Sequence, residues 1–271
     1  YFDDFHHHGA FFLVHFFNFF QYFGQERDSL VKQWPEPLFN FKNKDYYSFF
    51  LNDIATLNAI NRKFYHHKVA FWDSVIQHPD YDEFWQKRNI LPNLKNIKPA
   101  VMTVAGLFDA EDLYGSFNIY HTIEKNSKEA ENILVAGPWR HGGWARTKGA
   151  RLGDVFFSDS PFPSLFYREF IELPFFVHHL KNGKEHKLPE AYIFDTGINQ
   201  WKAFDRWPPE NTTTKKLYLS ENGKLSFDVP ENSSPAFDEF VSNPHEPVPY
   251  TQNHTSRMNA EYMTENQAFA A

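Results

Sequence analysis

The chain has 271 residues, a net charge of −7, 42% hydrophobic and 23% charged residues, and no cysteine. It is long enough for a full core and for more than one domain, and its balance of apolar and charged residues is globular rather than disordered. The negative charge and the lack of any Lys/Arg run argue against a nucleic-acid partner, and the missing cysteines exclude disulfides, thiol catalysis and thiolate metal sites.

Residues 1–97 read as mainly helical. The opening Tyr1-Phe2-Asp3-Asp4 has no basic n-region of the signal-peptide kind. The aromatic run from Ala10 to Phe23 is too short to span a bilayer and is interrupted by His15, Asn18 and Gln21, so a buried helix or an aromatic-lined cavity is expected. Tyr46, Phe50, Ile54, Leu57, Ile60 and Phe64 recur at spacings of three and four, which predicts one continuous helical face. Residues 98–187 alternate strand and helix. Ala100–Ala105 and Ile133–Ala136 are short apolar runs, Leu113, Phe117, Tyr120 and Ile123 form a helical stripe, and Leu165–Leu180 is a second helix. That order predicts a parallel sheet. Residues 188–271 change to short strands between turns, Ala191–Phe194 and Lys216–Leu219 followed by the turn Glu221–Lys224, which predicts an all-β domain.

Two residues carry the chemistry. Asp109 follows the first apolar run and His141, bracketed by glycines, follows the second. Parallel sheets place reactive groups beyond the carboxyl ends of their strands, and the order strand–Asp, strand–His is the second half of a Ser…Asp…His triad. Asp109 reads equally well as a helix cap, with Asp112 in the first turn. No Gly-x-Ser-x-Gly elbow occurs in the 271 residues, so the nucleophile is expected upstream. His6, His7 and His8 are adjacent and point in different directions, which weighs against a metal cluster. His66-His67 and His178-His179 read as helix-surface or helix-packing residues. No metal and no cofactor is expected.

Gly106-Leu107-Phe108-Asp109-Ala110-Glu111-Asp112 and Gly137-Pro138-Trp139-Arg140-His141-Gly142 resemble the triad-acid and triad-histidine motifs of the cocaine esterase and α-amino acid ester hydrolase family, which also holds glutaryl cephalosporanate acylases and X-prolyl dipeptidyl aminopeptidases. Asp3–Phe11 resembles the family segment that enters the helical cap. Gly197–Trp201 with Trp207-Pro208-Pro209 resembles the opening of the family's jelly roll, and Pro247–Tyr250 and Met263–Ala270 resemble later jelly-roll segments. Leu107 stands where tryptophan is common, and His8 where asparagine is common. The resemblance implies an α/β fold: the C-terminal part of an α/β-hydrolase sheet with a helical cap, then part of an all-β jelly-roll domain. It implies a serine hydrolase with Asp109 as triad acid and His141 as base. It further implies a substrate ammonium held by three carboxylates, Glu111, Asp112 and either Asp3 or Asp4. Crowded carboxylates of this kind favour a cation among them and should show a raised pKa without one.

The leading expectation is therefore hydrolysis of α-amino acid esters or amides, including β-lactam acyl groups, with a small ester or amide as partner and neither nucleic acid nor membrane. The alternatives are a glutaryl cephalosporanate acylase or X-prolyl dipeptidyl peptidase of the same family, or a non-catalytic binding module. A homo-oligomer and a periplasmic or secreted location are carried over from the resemblance.

Overall fold

The computed structural model describes residues 2–7, 9–42, 45–220, 223–230, 237, 239–249, 251–254 and 263–265. The aromatic run becomes α1 (Leu13–Phe20), which buries Phe16, Phe17 and Phe20. Phe17 is fully buried, with the rings of Phe39, Phe41, Phe49, Phe50, Phe64 and Tyr65 at 5.3–6.0 Å. Most of these pairs meet edge to face, a geometry worth about 0.5–1.5 kcal/mol per pair beyond area burial. The Tyr65 hydroxyl, which burial would otherwise strand, donates to Phe17 O at 2.8 Å. The high phenylalanine content thus builds a separate core for residues 2–85.

The helical face predicted from Tyr46 to Phe64 is broken. α2 (Tyr46–Asn52) starts at Asp45, whose carboxylate accepts from the N–H groups of Tyr47 and Ser48. It stops because Asn52, Asp53, Thr56 and Asn58 are weak helix formers. Thr56 is fully extended, a 3-10 turn follows at Leu57–Ala59, and Ile60–Lys63 resumes the helix. Trp72 Nε1 fixes the break by donating to Leu57 O at 3.0 Å; Trp72 lies on α3 (Ala70–Gln77). His66 and His67 sit in a turn with φ of 53° and 60°, not in a helix as expected.

The second unit is a sheet of four strands: β1 (Val101–Gly106), β2 (Asn132–Gly137), β3 (Ala191–Asp195) and β4 (Gln200–Phe204), in that spatial order. β1, β2 and β3 run parallel, with Val101 opposite Asn132, Gly106 opposite Gly137 and Leu134 opposite Ala191; β4 turns back antiparallel. β2 is buried along its whole length. Its alternation explains why: Leu134 and Ala136 face α4 (Leu113–Asn126) through Tyr120, while Ile133 and Val135 face Tyr167, Ile171 and Phe175. The latter lie on one helical run made of α5 (Pro163–Phe166), a π turn (Tyr167–Glu172) and α6 (Leu173–Lys181).

The expected boundary at residue 188 is corrected by this sheet. Ala191–Phe194, expected to open the all-β part, pairs with β2, and Gly197–Trp201 forms the β3–β4 turn and the start of β4. The run Ala191-Tyr192-Ile193-Phe194 buries both of its faces, which suits a strand inside a covered sheet better than one of a half-exposed hairpin. Beyond Phe204, the strands among the described residues are Tyr218–Ser220 and Lys224–Ser226, paired as a hairpin. Pro247 and His254 lie against the cap, where the Tyr47 hydroxyl donates to Pro247 O at 2.6 Å and the Tyr47 ring stacks on His254. Tyr250 and residues 266–270 of the jelly-roll resemblance lie outside the described residues. Among the described residues no helix is long and apolar enough to cross a membrane.

Candidate active site

The loops that leave β1 and β2 are joined backbone to backbone. Leu107 N–H donates to Gly137 O at 2.8 Å and Phe108 N–H to Trp139 O at 3.1 Å. Gly106 permits this approach, because a Cβ there would lie 2.3 Å from Trp139 O. The joined loops bring Asp109 and His141 together. Asp109 is 5% exposed. Its Oδ1 accepts from the N–H groups of Glu111 and Asp112 at 2.9 and 3.1 Å, and its Oδ2 lies 3.1 Å from His141 Nδ1. The capping role and the histidine-orienting role are therefore filled by the same carboxylate, one oxygen each. After His141 the chain enters a short helix, Gly143–Arg146, through Gly142 at φ 68°.

A second carboxylate shares the imidazole. Asp112 Oδ2 is 3.2 Å from His141 Nδ1, and Asp112 is far more exposed than Asp109. Hydrogen bonds to Asp109 and then to Asp112 outweigh burial, and with the nearby charge of Glu111 they raise the His141 pKa to about 10. The same bond lowers Asp112. Asp112 also hydrogen-bonds Asp4, whose pKa rises to about 7 through burial and the adjacent Asp112 charge. Because Asp112 already faces the imidazole, the proton shared by the two acids belongs to Asp4.

Asp3, Asp4 and Asp112 line a cavity of about 770 Å³, walled on the apolar side by Phe2, Tyr81, Trp85, Ile90 and Leu91. His141 reaches this cavity through Asp112. The structure does not bring Glu111 into that lining. The Glu111 carboxylate turns to the cap instead, where His15 Nε2 on α1 lies 3.1 Å from its Oε2 and both side chains are mostly buried. His15 was visible in the sequence as an interruption of an apolar run; what it pairs with was not. Tyr81 and Trp85 likewise carried no signal beyond their aromatic character. Asp109, Asp112 and His141 each present a donor atom within 4.8 Å of the others. The His141 imidazolium between the two carboxylates supplies the positive charge of that grouping.

The raised Asp4 pKa has a testable consequence. In the unfolded chain Asp4 ionises near 3.8, whereas in the folded chain it holds its proton to about 7. Folding therefore loses stability as pH rises from about 4 to 7 and carries the full penalty above that. Thermal unfolding of Asp4→Asn is expected to show a melting temperature that gains on the wild type across this window and equals it near pH 4. Parallel pH profiles for the two would show that the acids are not crowded.

Parallel strands covered on both faces, with an acid and a histidine at successive strand ends, define an α/β-hydrolase unit. The chain belongs to the X-Pro dipeptidyl-peptidase (S15) family, whose model matches residues 3–143. It is 24% identical over 186 residues to the cocaine esterase of Rhodococcus sp. (strain MB1 Bresler), covering 65% of this chain and 31% of that protein. An α-amino acid ester hydrolase structure superimposes with a TM-score of 0.79 at 30% identity, covering 94% of this chain and 42% of that one. An aminopeptidase from a marine sediment archaeon (Thaumarchaeota archaeon) gives 0.77 at 30% identity, covering 95% and 41%. The chain thus spans less than half the length of each of these relatives.

Proposed function

We propose that this chain is the acid–histidine part of a serine hydrolase acting on esters or amides whose acyl group carries a free α-ammonium. The observation that carries the reading is the contact series Asp4–Asp112–His141–Asp109, which runs from a cavity to a buried acid. In this reading a serine from a Gly-x-Ser-x-Gly segment, absent from these residues, attacks the acyl carbon. Its proton passes to His141 Nε2 and then to the leaving group, and water repeats the sequence on the acyl-enzyme. Asp109 holds the Nδ1 proton throughout.

A base must be neutral before it can accept that proton. With two carboxylates on Nδ1, His141 stays charged up to about pH 10. An ammonium bound between Asp4 and Asp112 withdraws Asp112 from the imidazole, lowers the His141 pKa and frees the base when substrate is present. An anionic glutaryl group would meet Asp3 and Asp112 as like charges, and a neutral acyl group would leave Asp112 on the imidazole and the base charged. A peptide with a free N-terminus offers the same ammonium, and the similarity to an aminopeptidase favours keeping peptides beside esters as substrates.

The test compares phenylglycine methyl ester with phenylacetate methyl ester, which lacks the ammonium. The full-length protein is expected to prefer the first, and the 271-residue chain alone to turn over neither. A preference for phenylacetate ester would remove the ammonium from the reading. Turnover by the pure chain, abolished by a serine-directed inhibitor, would place the nucleophile within it.

A further inference from the structure

A second cluster of chemistry-bearing side chains lies at the other end of the sheet. Glu131 immediately precedes β2 and anchors its backbone by accepting from Val101 N–H at 2.8 Å. His141 follows the carboxyl end of the same strand, and six strand residues at about 3.3 Å each separate the two ends by about 20 Å. His179 lies in the last turn of α6. Asn182 then adopts the left-handed conformation at φ 52°, Gly183 N–H closes on Val177 O at 3.1 Å, and the chain doubles back to place His186 beside His179.

Both imidazoles aim Nε2 at one carboxylate oxygen. Glu131 Oε1 is 2.8 Å from His186 Nε2 and 3.2 Å from His179 Nε2, and the two nitrogens are 3.4 Å apart. Ligand atoms held about 2.0–2.1 Å from a tetrahedral zinc ion are separated by about 3.3 Å. The rings are already oriented: Phe175 packs on His179 at 4.6 Å, and His178 on His186 at 5.2 Å. The His186 side chain is 9% exposed and that of Glu131 is 41% exposed, which leaves a solvent-facing fourth position. A proton on each Nε2 would crowd two donors against one acceptor; a cation replaces both protons.

We propose that Glu131, His179 and His186 form a structural site for a divalent transition metal, zinc first, that staples the α6–β3 connection to the start of β2. Two imidazoles and one carboxylate suit zinc and its neighbours rather than magnesium or calcium, which take oxygen sets. Binding through Nε2 puts the neutral His186 proton on Nδ1, so the long 3.4 Å contact from Leu188 N–H is given up. The distance from His141 assigns the metal to stability and not to the reaction. The proposal is independent of the hydrolase reading.

The test uses full-length, untagged protein, stripped of metal and titrated with Zn²⁺ by calorimetry and thermal unfolding. His186→Gln and Glu131→Gln are each expected to bind one zinc fewer than wild type, or to bind it at least about a hundredfold more weakly, beyond the 10–100-fold cost of losing an outer-shell partner. The metal-dependent rise in melting temperature should disappear with it, and wild-type binding should weaken as pH falls below about 6.5, where imidazole protonates. His141→Asn should keep that zinc, which separates this cluster from the Asp109–Asp112–His141 group. Cobalt added to wild-type protein supplies a readout if the variants do not fold, with intense tetrahedral ligand-field absorption expected. Equal zinc binding by wild type and His186→Gln, loss of it in His141→Asn instead, or octahedral cobalt bands only would overturn the site.

Discussion

Asp109→Asn in the full-length hydrolase is expected to lower kcat by about four orders of magnitude on every ester or amide tested, as loss of the acid's charge and tautomer control does in other triads. The reason is local. Asp109 Oδ1 accepts two backbone N–H groups, so an asparagine must put its carbonyl there and present its NH₂ to His141 Nδ1. That forces the imidazole proton onto Nε2, where it can no longer accept one from serine. His141→Ala should cost about six orders, since it removes the base itself. Asp112 is the internal control, because its Oδ2 also lies 3.2 Å from Nδ1. It is the more exposed and less anchored acid, so Asp112→Asn should spare turnover of an ester without an ammonium far better than Asp109→Asn does. A loss of less than tenfold for Asp109→Asn, measured under saturating ester, would transfer the orienting role to Asp112.

Asp4→Asn is expected to be a selective lesion. It should reduce kcat/KM for phenylglycine methyl ester by about ten- to a hundredfold more than for phenylacetate methyl ester, the equivalent of one charge-assisted hydrogen bond of about 1.5–3 kcal/mol. Asp4 is the sharper probe than Glu111, whose carboxylate is held by His15 and acts on the cavity through its field alone. Glu111→Gln should therefore discriminate less between the two esters. Equal losses on both esters for Asp4→Asn would reduce the acids to packing and capping groups.

What could be read directly from the residues was what short stretches decide. The apolar runs at 101–106 and 132–137, the stripe from Leu113 to Ile123, and an acid and a histidine just past successive strands all depend on patterns a few residues long. What escaped depends on distant partners. The strand at Ala191 looks like any short β run until β2 is there to pair with it. The helix predicted through Asp53 yields to polar residues at its centre and to Trp72, which arrives from the next helix. His15 and Glu111 stand 96 positions apart, and Glu131 meets His179 and His186 only after β2, α5 and α6 have intervened. Of the acids expected around an ammonium, Asp4 and Asp112 converge on one cavity, while Glu111 answers a histidine that no local pattern links to it.

Glu111 is gripped at both ends. Its backbone N–H restrains the oxygen of Asp109 that faces away from His141, and its side chain is clasped by His15 on α1. The covering helix and the orientation of the buried acid therefore share a single residue as their linkage. Any tilt of that helix is carried, through one side chain and one peptide, into a torque on the carboxylate that aligns the imidazole. The covering helix and the carboxylate beside the imidazole are mechanically one part.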